Sequence, residues 1–288
     1  MSEEKITTQL PKEGYKINDL ESNMSPAPIS ESDAYKPAGK MIGLNTLITG
    51  ADSGIGKAVA IAFAKEGANV CLVDLEETED LEKTKNRIKE IGTDAMTFAG
   101  DVGEESFAQK VIQKTIEKWG SLHTFVSNAG EQHPQKKIGD ISAAQLDRTF
   151  RTNVFGMFYF VKAIFPHLEE NGTIITTSSI TAYKGSPGLM DYAATKGAIV
   201  SFTRSFAQNE EVLSKKIRVN SVAPGPIWTP LIPATLGSPH DTFGDDVPMK
   251  KPGEAYELAP AYVYLATSDS SYVTGQTIHV NGGTVING

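Results

Sequence analysis

Cysteine is almost absent: the chain of 288 residues has one, Cys71. A lone cysteine excludes an internal disulfide and any multi-cysteine zinc site, and it fits the reducing cytoplasm, where we expect the protein to work. Its place in an apolar run marks a small buried hydrophobe, not a reactive thiol. Long hydrophobic runs are missing as well. No stretch is long enough to span a bilayer, and no apolar segment of signal-peptide length follows the polar start Met1-Ser2-Glu3-Glu4-Lys5. No membrane partner is therefore expected. Positive charge is not in excess: Lys and Arg number 27 against 35 Asp and Glu, a net charge of −8, and they are scattered. Such a chain has no field to attract phosphate backbones, so nucleic acid is not an expected partner. His123, His133, His167, His240 and His279 form no metal-ligand spacing, and no metal is expected. No Gly-x-Ser-x-Gly occurs, which leaves a serine-elbow hydrolase without support.

What is present is an ordinary globular composition, 40% hydrophobic and 22% charged, sufficient for a sizeable core. Residues 1 to about 40 are polar, carry Pro11, Pro26, Pro28 and Pro37, and show no periodicity. They read as an N-terminal extension outside the core, either loose or lying across its own domain or a neighbouring subunit. From Met41 to the end, short apolar runs alternate with segments of helical period. That pattern predicts an α/β fold, a single Rossmann-like doubly wound parallel sheet of about seven strands with helices on both faces. The expected strands are Asn45 to Thr49, Asn69 to Asp74, Ala95 to Ala99, Thr124 to Ser127, Thr173 to Thr177, Arg218 to Val222 and Thr277 to Val280. The expected helices are Ile55 to Glu66, Glu79 to Ile91, Glu105 to Trp119, Ala143 to Leu168, Tyr192 to Leu213 and Glu254 to Thr267. Ser142 with Gln145 makes a capping-box start, and Gly67 and Gly92 stand at C-cap positions.

The first strand ends in Thr49-Gly50-Ala51-Asp52-Ser53-Gly54-Ile55-Gly56 and runs straight into a helix. Glycines there let the backbone turn tightly and approach a ligand, and a dinucleotide pyrophosphate could rest against the free N–H groups of the helix. A plain strand-to-helix turn is the alternative. A P-loop is excluded, since Ala51 stands where its leading glycine belongs and Ala58 follows Lys57. The second strand ends in Asp74, placed to accept hydrogen bonds from adenosine ribose hydroxyls and to repel a 2′-phosphate. Neither Ser53 nor Leu75 supplies a basic partner, so NAD is expected over NADP. Asp74 as a mere strand-end turn is the alternative.

Tyr192 and Lys196 are four apart at the start of an expected helix and share one face. An ammonium and an oxidised nicotinamide would both favour phenolate over a phenol whose ordinary pKa is about 10. Upstream, the strand ending at Thr177 is followed by Ser178-Ser179, and ligands of parallel sheets bind beyond the carboxyl ends of strands. Ser179 could hold the reacting oxygen there, or simply satisfy a turn.

These pieces, with Asp101-Val102, Asn128-Ala129-Gly130, Asn153 and Pro224-Gly225 in order, resemble the short-chain dehydrogenase/reductase family over nearly everything after residue 40. The resemblance implies Tyr192 as general acid/base, Ser179 orienting the substrate oxygen, Lys196 binding the nicotinamide ribose and tuning Tyr192, and Asn153 supporting a water relay. Around the cofactor it implies Gly50, Asp52, Ser53, Gly54, Ile55, Gly56, Asp74, Leu75, Asp101, Val102, Asn128, Ala129, Gly130, Tyr192, Lys196, Pro224, Gly225, Ile227 and Thr229. Ser127 departs from the family's Asn-Asn-Ala-Gly, with little effect on chemistry expected. The implied activity is hydride transfer between NAD(H) and an alcohol or carbonyl, with Tyr192 exchanging the proton.

Glu131-Gln132-His133-Pro134-Gln135, the run Pro224 to Pro233, Ser271 to Gln276 and the extension are similar to the glucose/ribitol dehydrogenase-like branch, which makes a polyol, sugar or small aldehyde or ketone the substrate lead. A homotetramer is implied by the same resemblance, and Phe150, Phe155, Phe158, Tyr159, Phe160 and Phe165 encircle their helix as burial on several sides requires. Leu231 to Met249 reads as a mobile lid, or as a neutral linker. Two rival functions remain open from the sequence. One is a non-catalytic NAD(H)-binding sensor or scaffold; the other is an NADPH-dependent ketoacyl reductase, which Asp74 opposes.

Overall fold

The computed structural model describes residues 20–236 and 242–286, so residues 1–19 of the expected extension, part of the expected lid with His240, and the last two residues lie outside the described residues. Seven strands, β1 (Asn45–Thr49), β2 (Asn69–Asp74), β3 (Ala95–Ala99), β4 (Leu122–Ser127), β5 (Leu168–Thr177), β6 (Arg218–Pro224) and β7 (Thr277–Val280), form one sheet. Every neighbouring pair is parallel and the order is β3-β2-β1-β4-β5-β6-β7. The order reverses between β1 and β4, and such a reversal opens a crevice at the carboxyl ends of the strands.

The helices are α1 (Gly54–Lys65), α2 (Glu79–Ile91), α3 (Glu105–Trp119), α4 (Ala143–Phe150), α5 (Gly156–Ile164), α6 (Thr181–Lys184), α7 (Met190–Ala207), α8 (Glu210–Ser214), α9 (Leu231–Leu236) and α10 (Ala255–Ala266). Alternation along each strand feeds two cores: on β2, Val70 and Leu72 join the core of α1, α2 and α10, whereas Cys71 and Val73 join that of α3, α5 and α7. With both faces covered, a strand must be apolar throughout, which is why these runs do not alternate with polar residues. Cys71 is fully buried, and burial pushes its thiol up to about 12.

Two expected helices are broken. The segment expected as one helix from Ala143 to Leu168 passes through a π-helical turn at Arg151–Phe155 and ends in a 3-10 turn, Phe165–His167, that contains Pro166. Proline lacks the N–H a continuing helix needs, and Leu168 opens β5 instead, ahead of the expected Thr173. The segment expected from Tyr192 to Leu213 begins at Met190 and stops at Ala207, and Asn209 caps the separate α8 by accepting from Glu211 N at 2.9 Å. At α4 the capping box is half formed. Ser142 Oγ accepts from Gln145 N at 3.1 Å, but the Gln145 amide donates to His133 O and Asp191 instead of returning to the cap.

Residues 20–40 lie across their own domain as a strap. The Tyr35 hydroxyl donates to Glu66 at 2.5 Å, and Ala38 N and Lys40 N donate to the same carboxylate. Glu31 bridges Arg87 on α2 and Lys65 on α1. Ile29 N donates to Glu254, and the Trp228 indole donates to Pro26 O.

Candidate active site

The glycine turn is built by contact distances. Gly50 and Gly54 have φ of +66° and +51°, values that glycine alone adopts at no steric cost. A Cβ on Gly50 would lie 2.8 Å from Ala129 Cα, and one on Gly56 would lie 1.8 Å from Gly50 O. Ser53, the N-cap residue of α1, makes no side-chain cap, because its hydroxyl donates to Asp52 Oδ1 at 2.8 Å. First-turn N–H groups have no partner within a helix, so they and the helix dipole favour an anion here. Asp74 accepts from Leu75 N at 2.7 Å and Asp52 N at 3.2 Å. Burial raises both the Asp52 and the Asp74 carboxyl, and for Asp52 the neighbouring Asp74 charge adds to it.

One cleft of about 420 Å³ joins this turn to the far end of the crevice. Of the residues expected around the cofactor, Gly50, Asp52, Ser53, Gly54, Ile55, Asp74, Leu75, Asp101, Val102, Asn128, Ala129, Gly130, Tyr192, Lys196, Pro224, Gly225, Ile227 and Thr229 all line it. Gly56 does not: it packs behind the turn, against Gly50 O. Asn153 also stands back from the cleft, 2% exposed. Carried by the π-helical turn, it accepts from Glu131 N at 2.8 Å and donates to Glu131 O and Thr195 Oγ1. A π-bulge re-aims one side chain within a helix, and here it ties α4 and α5 to the loop after β4.

At the other end lie Ser179, two residues past the end of β5, and Tyr192 and Lys196, one turn apart on α7; they are 8%, 9% and 3% exposed. The Lys196 ammonium is 5.4 Å from the centre of the Tyr192 ring and donates to Thr177 O at 2.9 Å. The sequence implied that Lys196 and the cofactor's charge together draw the phenol down. The protein's own groups do the reverse: burial pushes Tyr192 up to about 12, opposed by a hydrogen bond with Ser179. Burial also brings Lys196 down to about 8. Asp191 holds the first turn of α7 in place by accepting from Tyr192 N, Gln145 Nε2 and Thr149 Oγ1, each at 2.9 Å.

Several wall residues were not legible in the sequence. Arg148 pairs with Asp101 and with Glu131, so the Asp101 carboxylate is engaged by the protein itself. Next to this wall, His133 is half-buried with Nε2 3.5 Å from Glu131 Oε1. Gln132 donates to Thr235 on α9 at 2.7 Å, which joins the loop after β4 to the start of the expected lid. Leu20, from the extension, also lines the cleft. Apart from the His133–Glu131 contact, the partners are well separated in the chain, and no local spacing signals them.

Among the described residues, no helix is long and apolar enough to cross a membrane. The family described as Enoyl-(Acyl carrier protein) reductase matches residues 50–285. The chain is 51% identical to "Uncharacterized oxidoreductase YhxC" of Bacillus subtilis over all of both chains. It is 44% identical to "Glucose and ribitol dehydrogenase" of Daucus carota, over 92% of this chain and 93% of that one. To "NADPH-dependent aldehyde reductase 1, chloroplastic" of Arabidopsis thaliana it is 43% identical, over 92% and 94%. A crystal structure of a short-chain type dehydrogenase/reductase from Mycobacterium marinum superposes with a TM-score of 0.80 at 32% identity, covering 86% of this chain and 98% of that one. Sheet order, glycine turn and these likenesses together lead to one assignment: the chain is an oxidoreductase that belongs to the short-chain dehydrogenase/reductase family, with glucose/ribitol dehydrogenase-like relatives.

Proposed function

We propose that the chain transfers a hydride between NAD(H) and an alcohol or carbonyl carbon, with Tyr192 as general acid/base. The observation that carries this reading is the continuity of one cleft from the glycine turn to Ser179 and a buried phenol, with a buried ammonium beside it. A dinucleotide fits the residues present. The glycine turn is open only because Gly50 and Gly54 lack a Cβ that would strike Ala129 and Thr229, and Asp74 offers carboxylate oxygens for ribose hydroxyls. The glycine turn and the first-turn N–H groups of α1 other than Gly54 N, which Glu21 accepts from, would hold the pyrophosphate, Asp74 the adenosine ribose, and Lys196 the nicotinamide ribose. When bound, the nicotinamide supplies C4 as hydride acceptor or donor and, when oxidised, a positive charge that opposes the upward push of burial on Tyr192.

The chain's own groups do the rest. Ser179 orients the substrate oxygen toward the Tyr192 hydroxyl, which removes its proton in oxidation and returns it in reduction. Asn153, turned inward on its π-helical turn, keeps the loop at Glu131 in register behind this pair. Ile180, Leu189, Leu231 and Phe243 give the substrate end an apolar wall, with Gln132 and Ser186 as polar points among them. A small polyol, sugar, aldehyde or ketone suits that mixture.

NAD is preferred over NADP on the chemistry of the ribose end. Among the described residues, the basic ones lining the cleft are Arg148, Lys184 and Lys196; Arg148 is held by Asp101 and Glu131, Lys196 stands beside Tyr192, and Lys184 is on α6 after β5, on the Ser179 side. The Arabidopsis relative is named for dependence on NADPH, and titration of both coenzymes tests the preference in this chain. A homotetramer is what the family resemblance implies; Phe155, at the end of the π-helical turn, and Phe158 on α5, packed edge-on to Phe202 of α7, are exposed apolar groups available to it, and light scattering tests it. The lone buried thiol suits the cytoplasm, a placement that fractionation tests.

The decisive assay follows NADH oxidation with a panel of carbonyls, and NAD reduction with polyols, in wild type and Tyr192→Phe. Loss of general acid/base catalysis predicts a fall of about 10²–10⁴-fold in kcat with coenzyme binding retained. Equal rates in the two proteins would remove Tyr192 from the chemistry.

A further inference from the structure

Glu21 is a buried carboxylate that the proposed reaction does not use. It is 5% exposed and comes from the strap, yet Oε2 accepts from Gly54 N at 2.6 Å and Oε1 pairs with Lys57 Nζ at 2.7 Å. Because the Ser53 hydroxyl is turned to Asp52, α1 takes this cap from a residue 33 positions away. The neighbours of Glu21 place it. Leu20 lines the cleft with Asp52, Ser53, Asp74 and Thr78, and Ser22 N approaches Asp80 Oδ2 at 3.4 Å on the first turn of α2. Leu20 to Ser22 therefore fill the gap between the first turns of α1 and α2, beside the carboxylates of Asp52 and Asp74.

A phosphate on the adenosine ribose would need room and a cation in this gap. The strap offers an apolar side chain and a carboxylate instead, and Lys57, the ammonium in contact with this segment, is bound by Glu21. We infer that Leu20 and Glu21 are specificity-determining residues that exclude a dinucleotide phosphorylated on its adenosine ribose, with Glu21 holding Lys57 in neutralised form. The inference rests on the nicotinamide-dinucleotide reading of the cleft.

The test is fluorescence titration of NADH and NADPH on the purified full chain. Glu21→Gln releases the Lys57 charge and removes a repelling one, so the ratio of the two dissociation constants shifts toward NADPH by about tenfold. Lys57→Met leaves Glu21 uncompensated and moves the ratio the other way. Leu20→Ala keeps the cap and opens the wall, so it shifts the ratio toward NADPH by less than Glu21→Gln does. If Glu21→Gln does not fold, Lys57→Met and Leu20→Ala decide between them. A purely structural cap would weaken both coenzymes alike and leave the ratio unchanged, which overturns the inference; so does a shift of Glu21→Gln and Lys57→Met in the same direction. A wild type that prefers NADPH also overturns it while leaving hydride transfer standing, whereas a wild type that binds neither coenzyme removes the reading of the cleft itself.

Discussion

Lys196 keeps an ammonium in a place that disfavours charge. Held by burial at about 8 where 10.5 is ordinary, it lowers the stability of the native state by about 3 kcal/mol at neutral pH. The unfolded chain binds the proton more tightly, so this penalty is full below about pH 8 and fades as pH rises toward 10.5. Lys196→Met should therefore give a protein no less stable than wild type at pH 7 in urea unfolding, with hydride transfer reduced at least about 10²-fold. A destabilised variant would mean that the bond to Thr177 O outweighs the buried charge. Tyr192, raised to about 12, is neutral over the same range. Oxidation needs the phenolate, so its rate should climb with pH through the alkaline range, while carbonyl reduction, which needs the phenol, should hold steady until pH approaches 12. An oxidation rate that does not rise with pH would mean that another group moves the proton. The sequence displayed Tyr192 and Lys196 because their relation is one turn of helix. It could not display Glu131, Arg148 and Glu21, because each finds its partner only after the sheet is assembled.

At the scale of the element, the glycine turn and the strands were legible for a steric and a hydrophobic reason respectively. A buried parallel strand must be apolar on both sides, so its run stands out; its ends do not, since β5 extends back to Leu168 through residues exposed to water. The helix carrying Asn153 was read as continuous because hydrophobic period tolerates a π-helical turn, which adds a residue without interrupting the apolar face. Gly56 has the most demanding position in the turn. A Cβ there would meet Gly50 O at 1.8 Å, a contact with backbone that no side-chain rotation relieves. Gly56→Ala should lower stability by about 1–3 kcal/mol and weaken NADH binding more than tenfold, because α1 must move away from β1. Thermal unfolding and coenzyme titration read the two effects separately. Unchanged binding with lowered stability would show that the turn tolerates the shift.

For the whole molecule, the strap is the part whose attachment depends on pH. Its anchor Glu31 is held at about 2, where 4.5 is ordinary, chiefly by its hydrogen bonds to Arg87 and also by Lys65. Full burial would make that about 3 kcal/mol; a side chain that is 36% exposed is screened by solvent, and about 1 kcal/mol is the reasonable share. The carboxyl is depressed in the folded state, so the contribution is intact above about pH 4.5 and is lost as pH falls toward 2. The sheet is held by apolar burial and has no such dependence on Glu31. Hydrogen exchange of peptides from residues 20–40 should therefore accelerate at a higher pH than exchange of β4 to β6 once intrinsic rates are corrected. Glu31→Gln should reproduce that early loosening at pH 7. If strap and sheet lose protection together in wild type, and the variant matches wild type at neutral pH, then Tyr35, Glu66 and Trp228 hold the strap without Glu31. In that case Leu20 and Glu21 are fixed at the cleft from the middle of the strap rather than by its charged anchor on α1 and α2.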